Sequence, residues 1–148
     1  MNSLAMIAVG YDGSPDSKAA LRWGLSLARD VDARVTVVHA TGLLEHLDAT
    51  TPRDTTPRDV TDIAQECQFD ESRLEWFVDN GDACSVLLRV GDAPRSADLV
   101  VVGSRGQGKR AGLLLGSTSL ELAQHSSTPV VIVPSSERSS ANGAAPRD

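Results

Sequence analysis

The chain has 148 residues, a net charge of −6, 41% hydrophobic residues and 23% charged ones. That length and balance suit one globular domain with a core of its own and exclude a disordered, collagenous or coiled-coil chain. The acidic charge and the scarcity of aromatics (two Trp, one Tyr, two Phe) argue against a nucleic-acid binder, which needs a basic face and stacking rings. No apolar run approaches the ~20 residues of a membrane-spanning helix, and the first residues predict no signal peptide.

The elements alternate along the chain. Residues 4–10 form a short apolar run that ends at Tyr11-Asp12-Gly13. Ser14-Pro15 then reads as a helix start, Ser as N-cap and Pro at the first helical position. Ala20, Trp23, Gly24, Leu27, Ala28 and Val31 follow at helical spacing, which places Trp23 on the core face. Residues 33–40 (ARVTVVHA) predict a second strand. Residues 41–59 contain an exact tandem repeat, TTPRD-TTPRD; its prolines disfavour helix and central strand, so a mobile surface loop is expected. Val60, Ile63, Ala64 and Cys67 outline a short helix, residues 74–78 a third strand, and Ala83, Val86, Leu87 and Val90 another helix. The continuous apolar run 97–103 (ADLVVVG) marks a strand buried on both faces. A glycine-rich stretch, a helix over 117–124 and a proline-bounded strand over 129–134 (PVVIVP) complete a domain over residues 1–134. Residues 135–148 are small and polar and are expected to be a flexible tail.

This β-α alternation implies an α/β fold: an open, doubly wound parallel sheet of five strands sandwiched by helices. In such sheets ligands bind beyond the strand C-termini, where the strand order reverses. The residues to watch therefore follow strands: Asp12, Ala40 and Gly103.

The richest segment runs from Gly103 to Thr118 (GSRGQGKRAGLLLGST). Its glycines allow close backbone approach, and Arg105, Lys109 and Arg110 concentrate positive charge in an acidic chain. Gly116-Ser117-Thr118 would open a helix, so phosphate is the natural guest. A P-loop fits seven positions, but Arg110 stands where Ser or Thr must hold magnesium. A dinucleotide fingerprint fits Gly106-x-Gly108-x-x-Ala111 by letter, yet Ser126-Ser127-Thr128-Pro129 lies where its acidic residue belongs.

The spacing Gly103-x2-Gly106-x9-Gly116-Ser117 resembles the nucleotide-binding signature of the universal stress protein family. Residues 7–14 (IAVGYDGS), 36–40, 97–103 and 128–134 resemble that family's first, second, fourth and fifth strands, in order. The resemblance implies a Rossmann-like fold of the adenine nucleotide alpha hydrolase-like type and a stress-response regulator that binds an adenine nucleotide. ATP, with or without Mg2+, is the expected ligand; cyclic AMP, or an empty pocket in a dimeric interaction protein, are the alternatives. By position, Asp12 would meet the ribose hydroxyls and Ala40 the adenine. Gly103, Arg105, Gly106, Gly116, Ser117 and Thr118 would hold phosphates, and Gly10, Tyr11 and Val102 would line the base and sugar pocket. Tyr11 is bulkier than the family's usual residue there. The resemblance also implies a homodimer formed through the last strand, Val130–Val133.

The residues themselves leave other readings. Asp12 before Gly13 suits an Asx turn as well as a ligand contact. His39, within a strand, reads as structural, and His46 and His125 as solvated. The three His, the Cys and the acids show no metal-ligand spacing. No general base or nucleophile set is assignable, so a regulator and not a fast enzyme is expected, with slow ATP hydrolysis left open. Cys67 and Cys84 form no C-x-x-C pair and fit a reduced, cytoplasmic setting.

Overall fold

The computed structural model describes residues 3–41, 55–105 and 115–134. Five strands, β1 (Met6–Gly10), β2 (Arg34–Thr41), β3 (Leu74–Asn80), β4 (Leu99–Gly103) and β5 (Val130–Val133), alternate with four helices. The helices are α1 (Pro15–Val31), α2 (Arg58–Glu66), α3 (Ala83–Arg89) and α4 (Ser117–His125). The sheet is wholly parallel, in the order β3-β2-β1-β4-β5. The chain winds outward from β1 through β2 to β3, then crosses back to β4 and β5. Its direction therefore reverses between β1 and β4, as the α/β reading requires.

The two faces of the sheet explain the continuous apolar strands. Ile7, Val9, Val35, Val37, Leu99 and Val101 pack with α1 and α2 on one face. Ala8, Val38, Val100 and Val102 pack with residues of α3 and α4 on the other. Residues alternate in a strand, so burial on both sides favours apolar residues at successive positions; Thr36 of β2, buried, has its hydroxyl bonded to Glu75. β5 is an edge strand, and all four of its residues are half-buried.

Helix α1 starts as its sequence dictates. Ser14 caps it, its hydroxyl accepting the Ser17 N–H at 3.2 Å, and Pro15 follows. Its buried face is Ala20, Leu21, Gly24, Leu25 and Ala28. Trp23 is 41% exposed and Val31 lies outside as well, which corrects the expected core role of Trp23. Both sets have helical spacing; the true stripe is turned toward Leu21 and Leu25, because the small residues Ala20, Gly24 and Ala28 let the helix lie close to β1 and β4.

The proline-rich segment also differs at its end. Thr41 closes β2, and Arg58 and Asp59 form the first turn of α2, with Pro57 at the N-cap. A proline tolerates a helix start because its missing N–H would have had no intrahelical acceptor there. Residues 42–54, which hold His46 and the first repeat copy, and the tail 135–148 lie outside the described residues.

The orientation of α1 has a measurable consequence. Leu25→Ala is expected to cost about 2–5 kcal/mol by opening a cavity, and Trp23→Ala less than about 1 kcal/mol. Urea denaturation of the two variants checks this, and the reverse order would refute the helix orientation.

Candidate functional site

Because every strand runs the same way, the C-terminal ends of β1, β2 and β4 share one edge of the sheet. Pairing sets Gly10 opposite Val38, two residues before Ala40. Val9 pairs with Val101, so Gly10 and Val102 are neighbours at the crevice. Asp12, Ala40, Gly103 and Arg105 thus all leave their strands at the same end.

The β1–α1 turn is tied together by its own side chains. The Asp12 carboxylate accepts the Ser14 N–H at 2.9 Å, an Asx turn, and Gly13 takes the left-handed conformation (φ 81°) that only glycine adopts freely. The Asp12 N–H donates to the Ser17 hydroxyl at 3.3 Å. Asp12 is exposed, and the turn holds its backbone.

Tyr11 and Val102 are placed differently from a simple pocket lining. They are 6% and 4% exposed, and each belongs to a core cluster. Their side chains are committed to the core, so any share in a pocket falls to their main chain. The Tyr11 hydroxyl donates to the Asp59 carboxylate of α2. His39 Nδ1 lies 3.0 Å from the Tyr11 carbonyl, and its ring stacks on Trp76 with centroids 5.8 Å apart. Trp76 in turn meets the Tyr11 ring edge-on at 6.3 Å. Burial, then the hydrogen bond and charge of Asp59, push the Tyr11 phenol well above its ordinary value.

The β4–α4 connection carries the most unusual geometry. Gly103 lies so near the first turn of α1 that a Cβ there would fall 2.6–2.7 Å from Asp16 C, O and Cβ. This glycine is needed for packing, whatever it does for a ligand. Asp16 itself is fully buried. Its Oδ2 accepts the Ser104 hydroxyl at 2.8 Å and the Arg105 N–H at 2.9 Å. Ser104 is buried too, and its N–H donates to the Val133 carbonyl at 3.0 Å. The Gly116 N–H donates to the Ser104 carbonyl at 2.6 Å, and the Ser119 hydroxyl lies 3.0 Å from the carbonyls of both Ser104 and Gly116.

Gly116 is the N-cap of α4 and makes no side-chain cap bond. Ser117 and Thr118 therefore occupy the first turn, where main-chain N–H groups have no intrahelical acceptor and attract anions. Arg105 is half-buried, and its Nε is buried with no hydrogen-bond partner among the described residues. Gly106, Lys109 and Arg110 lie outside the described residues.

Asp16, Ser104 and Ser119 were not singled out by sequence reasoning. An acidic residue in a first helical turn ordinarily reads as a solvated partner of the helix dipole, and nothing local signals that Asp16 is enclosed. Among the described residues no group of three or more His, Cys, Asp or Glu is placed to hold a metal ion, and no helix is long and apolar enough to cross a membrane.

The profile of the universal stress protein family matches residues 6–134. The chain belongs to the universal stress protein family. A universal stress protein of Mycolicibacterium smegmatis is 34% identical over 145 residues, covering 86% of this chain but 47% of that protein. The chain thus spans about half the length of that relative. The stress response protein NhaX of Bacillus subtilis is 28% identical over 160 residues, covering 86% of this chain and 96% of NhaX. Among solved structures, a universal stress protein in complex with cAMP superposes with a TM-score of 0.68 at 27% identity, covering 89% of this chain and 98% of that one.

Two outcomes test this geometry. Gly103→Ala should destabilise the fold by at least about 1–3 kcal/mol, because a backbone and not a flexible side chain must give way; urea denaturation reads it. The protein has a single tyrosine, so tyrosinate absorbance follows Tyr11 alone. Its folded pKa lies above the unfolded value of about 10. The stability it contributes is therefore full below about pH 10 and is lost as pH rises through the folded value. Asp59→Asn should bring that ionisation to lower pH.

Proposed function

We propose that this universal stress protein is an adenine-nucleotide-binding regulator that takes ATP in the crevice between β1 and β4. The observation that carries the reading is the convergence there of three complementary groups. Asp12 offers an exposed carboxylate suited to the paired hydroxyls of a ribose. Arg105 offers a buried donor without a partner among the described residues. The first turn of α4 offers main-chain N–H groups and the hydroxyls of Ser117 and Thr118 to phosphate. Ala40, at the end of β2, stands where an adenine would meet main chain.

The solved cAMP complex favours a second reading, in which this chain takes cyclic AMP in the same crevice. One cyclic phosphate would use less of the Arg105–Thr118 side than a triphosphate does. A magnesium ion arriving with ATP would draw its ligands chiefly from phosphate oxygens and water.

The regulator part of the reading rests on the lack of an assignable general base among the residues placed at the crevice. Among the described residues β5 is an edge strand, and its Val130–Val133 are half-buried; both support a homodimer formed through that strand. The thiols of Cys67 and Cys84 are both free, which suits a reducing cytoplasm.

Calorimetric titration with ATP and cyclic AMP, each competed by the other, tests the proposal. ATP should bind the more tightly, and hydrolysis should stay well below the ~1–100 s⁻¹ of phosphoryl-transfer enzymes. Asp12→Ala should weaken ATP by about 10–100-fold, the value of hydrogen bonds to a charged group, and Gly116→Val should weaken it further. Tighter binding of cyclic AMP would select the second reading, and the absence of heat with either would refute both. Light scattering should give twice the monomer mass, and a monomer would refute the dimer.

A further inference from the structure

Asp16 is a fully buried carboxylate on a helix turn where acids are ordinarily solvated. Taking a carboxylate out of water is costly unless its acceptors are used. Here one oxygen, Oδ2, takes two donors from consecutive residues, the Ser104 hydroxyl and the Arg105 N–H. These are the first residues after β4, where the chain enters the glycine-rich segment.

Ser104 passes the constraint on. Its carbonyl accepts the Gly116 N–H at 2.6 Å and lies 3.0 Å from the Ser119 hydroxyl, so the segment's two ends meet at one residue. The Ser104 N–H is held by the Val133 carbonyl of β5. Through Ser104, Asp16 therefore fixes where Arg105 leaves the sheet and where α4 begins. Those are the two places that the nucleotide reading assigns to phosphate.

We propose that Asp16 is a positioning residue that, directly and through Ser104, sets Arg105 and the α4 N-terminus for a polyphosphate without touching the ligand. The proposal deepens, and rests on, the nucleotide reading above. One orphaned atom agrees with it: the donor of Arg105. Arg105 Nε is buried without a hydrogen-bond partner among the described residues. A donor held in that state, on a backbone that Asp16 has already fixed, lacks the kind of acceptor that a phosphate oxygen supplies.

The test compares ATP with adenosine, which lacks the phosphates. Asp16→Ala should weaken ATP about tenfold or more while leaving adenosine within about twofold. Amide hydrogen exchange at Arg105 and Gly116, followed by NMR on ligand-free protein, should speed up about tenfold. Asp16→Asn keeps an oxygen that can stand in the place of Oδ2, and it should recover most of both effects. Ser104→Ala removes one of the two bonds with little loss of volume. It should show a smaller ATP-selective loss, which keeps the test decisive if Asp16→Ala does not fold. ATP and adenosine weakening together, or unchanged exchange at Arg105 and Gly116, would overturn the proposal. If the wild-type protein binds neither compound, the nucleotide reading fails and the exchange rates alone judge the positioning role: faster exchange in Asp16→Ala retains it, and unchanged exchange removes it.

Discussion

The close approach of the first turn of α1 to the end of β4 is the constraint on which the site depends. It needs a residue with no side chain at Gly103, since a Cβ would fall 2.6 Å from the Asp16 carbonyl carbon. It also needs Asp16, whose carboxylate is enclosed by that approach and has its Oδ2 satisfied by Ser104 and Arg105. Steric closeness and buried hydrogen bonding reinforce each other. Without the glycine the helix could not reach the strand, and without the strand's donors the carboxylate would lie buried unpaired, an expensive state. α1 is thereby docked against β4, next to the strand it follows in the chain, and the crevice between β1 and β4 takes its shape from that docking.

The other side of the crevice is built from rings. Tyr11 continues β1 into the core, its hydroxyl on Asp59 of α2, its carbonyl beside His39 and its ring edge on Trp76. The stacked His39 and Trp76 join β2 to β3. The end of β1 is thus held laterally by β2 and β3 and from one face by α2, which anchors the backbone that leads to Asp12.

The charge distribution fits an anion site within an acidic protein. The described surface pairs many of its charges locally: Arg22 with Glu66, Arg73 with Asp32, Arg89 with Asp79 and Arg95 with Glu75. Such exposed pairs add little stability; Arg105 differs from them in being half-buried. Its buried Nε has no local acceptor among the described residues.

Sequence by itself determined the element order, the parallel sheet and the end of the sheet where ligands belong. These follow from local chemistry: β-branched runs, a Ser-Pro helix start, glycine punctuation, and strands too apolar to face water on either side. It also marked Asp12, Gly103, Arg105 and Gly116 through their spacing. Only the tertiary structure decided which face of α1 is buried, because Trp23 and Leu25 both satisfy a helical period and the choice turns on how closely small residues let the helix approach. It alone showed that Asp59, the last residue of a repeat read as loop, belongs to a helix and holds Tyr11. It alone revealed Asp16, since enclosure is made by Gly103 and Ser104, some ninety residues away in the chain, and no local pattern carries that information.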